Sequence, residues 1–192
     1  MGYWGKRVKS GGRAAVGAAR PLVGDRSGTT LIEFAAIAAP LFGLLVAILQ
    51  ISLVYFAQEL LETAEEKAVR QLLTGAAQQG NMTQSGFKAL MCSYLPNFMQ
   101  GASGTCANLY VQVSSAGSWS AVTTTRPTIT YDSQGNVSNS FSYTPGGSHA
   151  INVVQAMYVW NVETGPLSFD MSNMSNNRRL LYATSVIQTE PY

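Results

Sequence analysis

Histidine and cysteine are scarce in this 192-residue chain, which holds one histidine, His149, and two cysteines, Cys92 and Cys106. A Ser-His-Asp or Cys-His catalytic arrangement would have to use that single histidine, which lies in a predicted loop and is interpreted as solvated. One histidine and two cysteines do not supply the four ligands of a structural zinc site. Phosphate-binding glycine loops and dinucleotide fingerprints are also missing. We therefore expect no metal, no cofactor and no reaction catalysed by this chain.

Charged residues are also scarce, at 11% of the chain, and they are distributed unevenly. Residues 1–28 hold six basic residues and one acid, a net charge of +5, whereas residues 58–192 hold six basic residues and eight acids, a net charge of −2. Because basic flanks of an apolar segment stay in the cytoplasm, this asymmetry predicts a cytoplasmic leader and an exported remainder. Nucleic-acid binding by the leader is the alternative. We expect none, because the leader is rich in Gly and Ala and has few aromatic residues.

One long apolar run, residues 34–57, separates these two parts, and only two of its 24 residues are polar. As a helix rising about 1.5 Å per residue it would be roughly 36 Å long, enough to cross a hydrocarbon core of about 30 Å. Pro40 is tolerated in membrane helices, and Tyr55 and Phe56 suit the membrane–water interface. A secretory signal would be shorter and would be followed by a small-x-small cleavage site. An uncleaved membrane anchor remains an alternative.

The segment that joins the leader to the apolar run has glycine at position 28, four further residues, then Glu33 and Phe34. Prepilin peptidases recognise this layout, which predicts cleavage between Gly28 and Thr29. The missing Cβ lets an enzyme approach the backbone closely. Cleavage would give Thr29 an α-amine that is largely cationic near neutral pH, one helical turn from Glu33. We expect Glu33 and Phe34 to set the registry of subunits in an assembly.

A capping box is the structural alternative for the same residues. Thr30 would be the N-cap and Glu33 the third helical residue, just before an apolar run. This interpretation needs no peptidase. Both interpretations start a helix near Thr29 or Thr30, but only the peptidase interpretation uses Gly28.

Three stretches of the chain resemble the TadE family of pilin-like proteins from tight-adherence, Flp-type IV pilus systems. The family's Val/Ile-Glu-Phe-Ala stretch with a following proline is matched by residues 32–35 and Pro40. Its Asn/Thr-Ala-x-x-x-Ala-x-Arg helix is matched by residues 63–70, and its Ala-Thr-x-Val…Glu-Pro-aromatic ending by residues 183–192. Major Flp pilins are much shorter, so the length favours a minor subunit.

The resemblance implies a minor pilin or pseudopilin that acts in pilus assembly. Its partners would be a prepilin peptidase, other Tad-type minor pilins, the major pilin, an inner-membrane assembly platform and membrane lipid, with no nucleic acid. The chain would cross the bacterial inner membrane once, with its C-terminal domain in the periplasm or in an extracellular pilus. An uncleaved, membrane-anchored periplasmic or surface binding module is the alternative function.

Helical patterning continues beyond the apolar run to Gly75, a predicted C-cap. Small and apolar residues recur there at spacings of three and four, at Ala57, Leu61, Ala64, Ala68 and Leu72. This stripe could pack against neighbouring subunits, or it could cover the sheet of its own domain. Both interpretations stay open.

The remaining residues, 76–192, are predicted to form a β-rich domain. Several runs alternate as strands do, at Asn108–Ser114, Ser118–Thr123, Thr128–Tyr131, Val137–Tyr143, Ile151–Trp160 and Leu180–Gln188. The sequence Asp132–Asn136 predicts a hairpin turn. An exported domain permits a Cys92–Cys106 disulfide, with two free thiols as the alternative.

The fold class is therefore predicted as α+β and type IV pilin-like. A leader, residues 1–28, precedes a long helix, residues 29–75, and a small, mostly antiparallel sheet follows.

Overall fold

The computed structural model describes residues 28–165 and 169–192. The chain divides into two compact units, residues 1–44 and 45–192. The predicted leader, residues 1–28, lies outside the described residues except for Gly28. From there one helix, α1 (Thr29–Leu73), continues for 45 residues with Pro40 inside it.

Helix α1 ends at a glycine, as predicted. Gly75 has a φ of 74°, in the left-handed region that glycine adopts without a steric penalty. Its N–H donates to the carbonyl of Leu72 at 3.3 Å, and the N–H of Thr74 donates to the carbonyl of Arg70 at 3.1 Å. These bonds satisfy carbonyl groups that the end of a helix would otherwise leave unpaired.

Three short helices follow α1 before any strand begins, and the prediction of a purely β-rich domain from residue 76 missed them. They are α2 (Ala76–Gln79), α3 (Gln84–Tyr94) and α4 (Asn97–Gln100). The N-cap of α3 is Thr83, whose Oγ1 accepts a hydrogen bond from the Gly86 N–H at 3.2 Å. Phe87 and Met91, one turn apart, are buried. A cap and a spacing of four are helix signals that the sequence carried.

The sheet has three antiparallel strands in the order β1 (Leu109–Ala116), β2 (Ile151–Asn161) and β3 (Arg178–Gln188). In the register Val113 pairs with Val154, and Ala156 pairs with Ala183. An α+β fold with a small antiparallel sheet is therefore confirmed.

The other three predicted strands do not form. The segment 118–123 contains a short 3-10 helix, Trp119–Ala121. Segments 128–131 and 137–143 make only isolated bridges, Tyr131 to Val137 and Val113 to Tyr143. Ile129, Val137 and Phe141 of these segments still pack against a small core cluster, although no ladder of strand hydrogen bonds forms. The predicted turn between them does form, with the Asp132 N–H donating to the Asn136 carbonyl at 2.9 Å.

The main core lies between the C-terminal part of α1 and one face of the sheet. All five residues of the predicted stripe are fully buried there, together with Val54 and Val69. The sheet contributes the face that carries Val111, Val154 and Ala183, and α3 contributes Phe87. The stripe therefore covers the sheet of its own domain, which decides between the two interpretations of it.

Candidate functional site

The predicted processing pair lies at the start of α1. Gly28 and Thr29 are both exposed, and a Cβ built on Gly28 would meet no atom within 4 Å. The Gly28 carbonyl accepts a hydrogen bond from the Ile32 N–H at 3.2 Å, so Gly28 holds the N-cap position and Thr29 is the first helical residue. Space is available around the peptide bond that a prepilin peptidase would cleave.

The capping-box interpretation of this segment is wrong. It required Thr30 to precede the helix, but Thr30 is the second residue of α1. A Thr-x-x-Glu pattern cannot fix the helix start when Thr29 can also be helical.

Glu33 and Phe34 are exposed on the first turns of α1. Glu33 lies one turn after Thr29, on the same helix face. Among the described residues no basic side chain forms an ion pair with it.

Large apolar side chains surround Glu33 on an otherwise uncovered helix. Only 11% of the most apolar 18-residue window of α1 is buried, and the helix is long and apolar enough to cross a membrane. A helix from the core of a soluble protein would be mostly covered, whereas this one exposes its large hydrophobic residues on every side: Leu31, Ile32, Phe34, Ile37, Leu41, Phe42, Leu44, Leu45, Val46, Ile48 and Leu49.

The C-terminal unit begins to cover α1 at Gln50. The Gln50 Nε2 donates to the Glu163 carbonyl at 3.2 Å, and Val54 and Ala57 belong to the main core. Packing by the domain therefore begins seven residues before the end of the predicted span, residues 34–57.

An aromatic cluster lies beside Phe56 of α1, and the sequence predicted only part of it. Phe56 stacks on Phe98 with ring centroids 6.4 Å apart, and Phe98 meets Trp160 edge to face at 6.3 Å. Phe56 was predicted to lie at the membrane surface and Trp160 to end a strand, whereas Phe98 had no predicted role. Phe98 is 57% exposed, so the cluster continues onto the surface of the domain.

The two cysteines form a disulfide, as predicted. Cys92 of α3 is bonded to Cys106, with Cα atoms 5.8 Å apart. The bond ties α3 to the segment that leads into β1. A disulfide indicates an oxidising compartment.

A buried carboxyl, Glu65, was not predicted. It is 2% exposed, its Oε2 accepts a hydrogen bond from the Ser185 hydroxyl at 2.6 Å, and its Oε1 is buried without a partner among the described residues. Burial raises the pKa of Glu65 to about 7, the charges of Glu66 and Glu62 also raise it, and the Ser185 hydrogen bond opposes them. The sequence carried one signal for this burial: Glu65 directly follows Ala64, a residue of the predicted stripe.

In residues 28–165 and 169–192, no group of three or more His, Cys, Asp or Glu side chains is placed to hold a metal ion. His149 is exposed, with a φ of 58°. No family model matches this chain, and no curated protein or solved structure shows significant similarity to it.

Proposed function

We propose that this chain is a minor pilin or pseudopilin of the TadE type, cleaved after Gly28 by a prepilin peptidase and active in pilus assembly. The observation that carries the proposal is an exposed Gly28–Thr29 pair at the start of a helix whose first 21 residues are mostly apolar and largely uncovered. A leader peptidase needs an accessible bond, and an assembly subunit needs an apolar helix that its own domain does not occupy.

The uncovered part of α1 matches a bilayer in length. Residues 29–49 precede the first contact with the domain at Gln50, and 21 helical residues span about 31 Å, against a hydrocarbon core of about 30 Å. We therefore place the membrane segment of the mature chain at residues 29–49 rather than 34–57. The domain beyond it would lie in the periplasm, where the Cys92–Cys106 disulfide is stable.

Glu33 would then lie inside the apolar layer, where an unpaired carboxylate is costly. A cationic partner lowers that cost, and cleavage supplies one as the α-amine of Thr29. Within one chain the two groups are one turn apart, and in a filament the amine of one subunit could pair with Glu33 of the next. Pairing between subunits would fix their axial registry as they join the filament.

The mature N-terminus tests the cleavage. Intact-mass analysis of protein extracted from membranes should show a chain that lacks residues 1–28 and begins at Thr29, and Gly28→Leu should leave the precursor uncleaved because its side chain obstructs the scissile bond. A full-length wild-type chain that still supports pilus formation would contradict the proposal. That result would favour the uncleaved binding module instead.

The role of Glu33 can be tested separately. Glu33→Ala should insert into the membrane normally but lose crosslinking to partner pilins, because the pairing group is removed. Glu59→Ala is the matched control, since Glu59 is an exposed acid on the same helix beyond the proposed membrane segment. Equal crosslinking by both variants would count against a registry role for Glu33.

A further inference from the structure

Two side-chain amides pair with the outer edge of β3 at its N-terminal end. Gln58 of α1 donates from Nε2 to the Tyr182 carbonyl at 2.8 Å, and its Oε1 accepts from the Tyr182 N–H at 3.3 Å. Asn173 meets Leu180 in the same way: its Nδ2 donates to the Leu180 carbonyl at 3.4 Å, and its Oδ1 accepts from the Leu180 N–H at 2.7 Å. Each amide supplies the donor and acceptor that a neighbouring strand would otherwise supply.

The same edge is open further along the strand. Backbone groups alternate in direction along an antiparallel strand, so Thr184 and Val186 point away from β2 as Leu180 and Tyr182 do. No donor or acceptor of the described residues meets the N–H and carbonyl groups of Thr184 and Val186 on that side. Unpaired groups at a sheet edge are a template for another strand.

A groove of about 540 Å³ adjoins this open edge. Its lining comes from one side of α1, including Val69 and Leu73, and from Ser185–Ile187 of β3. Before the groove, at Tyr182, the strand edge is paired with the Gln58 amide. At the other end the chain crosses back to α1, where the Glu190 N–H donates to the Leu73 carbonyl at 2.7 Å.

The opposite edge of the sheet is already paired. Val113 of β1 accepts from the Thr144 N–H and donates to the Ser142 carbonyl, each at 2.9 Å, and the Gln84 amide donates to the Val111 carbonyl at 2.9 Å. Protein segments therefore cover the middle of the β1 edge, whereas no segment of the described chain covers the β3 edge at Thr184 and Val186.

We propose that the Thr184–Val186 edge binds an extended peptide segment of another protein subunit as a fourth strand of the sheet. The stretch between Tyr182 and Gln188 is about 20 Å long. It can therefore pair with an added strand of three to five residues. Main-chain hydrogen bonds would give affinity. One apolar side chain in two would face Val69 and Leu73. The identity of that subunit as a pilin rests on the proposed function, but the binding itself does not.

The probe is a fluorescently labelled peptide, acetyl-Thr-Val-Lys-Val-Thr-amide, whose two valines share one face. We expect it to bind the full chain in detergent micelles, measured by fluorescence anisotropy. Methylation of the three central amide nitrogens, those of both valines and the lysine, should weaken binding by about tenfold or more, since main-chain hydrogen bonds to β3 are lost whichever direction the added strand takes. Val186→Pro should cause a similar loss because it removes the N–H that the added strand needs, and Val186→Thr, which keeps it, should bind normally. Proline is tolerated where the lost N–H faces away from the sheet.

Amide hydrogen exchange of the wild-type chain gives a second readout that needs no variant. The N–H groups of Thr184 and Val186 should exchange more slowly when the peptide is bound. The proposal is overturned if the peptide fails to bind at millimolar concentration, if the methylated peptide binds as well as the parent, or if exchange at these residues is unchanged. A chain found uncleaved at Gly28 would contradict the proposed function and leave these results unaffected.

Discussion

Replacing Glu65 by glutamine should stabilise the C-terminal unit at alkaline pH and destabilise it slightly at acid pH. The pKa of Glu65 in the folded chain is raised to about 7 from an ordinary value of 4.5, which we assign to the unfolded chain. Below about pH 4.5 both states hold the proton and ionisation costs nothing. As the pH rises from 4.5 to 7 the unfolded chain releases its proton first, so the stability of the fold falls.

The magnitude follows from the two pKa values. Their difference, about 2.5, corresponds to about 3 kcal/mol at 1.36 kcal/mol for each pKa unit. Glutamine removes this ionisation cost and keeps an oxygen that can accept from Ser185. The glutamine NH₂ group would take the place of Glu65 Oε1, which has no hydrogen-bond partner among the described residues. An unsatisfied buried donor costs about 1 kcal/mol or more. We therefore expect a net gain of about 2 kcal/mol at pH 8 and a loss of about 1 kcal/mol at pH 4.

Urea unfolding of the full chain in detergent micelles, followed by tryptophan fluorescence, measures this difference at both pH values. Glu59→Gln is the control: Glu59 is exposed on the same helix, and its replacement should change the unfolding free energy by less than about 0.5 kcal/mol. A Glu65→Gln variant with the same stability difference from wild type at pH 4 and pH 8 would refute the argument, because it would show that ionisation of Glu65 is not linked to folding.

Two further predictions concern local constraints on the fold. Replacing Cys92 and Cys106 together by serine should lower the unfolding free energy by about 3 kcal/mol, because the disulfide restricts the conformations of the unfolded chain. Equal urea midpoints for the oxidised wild type and the variant would contradict this. Gly75→Ala should cost about 1–2 kcal/mol for the left-handed backbone, and more because its Cβ would overlap the Tyr192 ring. In a Tyr192→Ala background only the backbone cost should remain, and an unchanged effect would exclude the overlap.

Elements with strong local signals could be predicted from the sequence. The apolar run and the stripe beyond it predicted α1, and Gly75 ended it as a left-handed residue must. The strands at β2 and β3 were predicted to within a few residues because long β-branched and aromatic runs favour a sheet. Helix α3 was missed although Thr83, Phe87 and Met91 marked it, because a domain rich in Ser, Thr and Asn was read as β throughout.

Contacts between distant residues could not be predicted from the sequence. Glu65 and Ser185 are 120 residues apart along the chain, and Gln58 and Tyr182 are 124 apart. Periodicity identifies the side of a helix that is buried, but it does not say which polar group on the facing strand meets it. The pairing of Gln58 with a strand edge, and the open edge beyond it, therefore required the tertiary structure.

Small side chains form much of the stripe by which α1 contacts the sheet. Along the covered part the contact stripe includes Ala57, Ala64 and Ala68, all fully buried, and small residues let a helix approach a neighbouring element closely. The uncovered part carries Leu, Ile and Phe on every side, which suits contact with lipid or with other apolar helices. Gln58, the residue that follows Ala57 of this stripe, pairs with the backbone of Tyr182. The open edge of β3 begins beyond that pair, so the helix that covers the sheet also protects part of its edge.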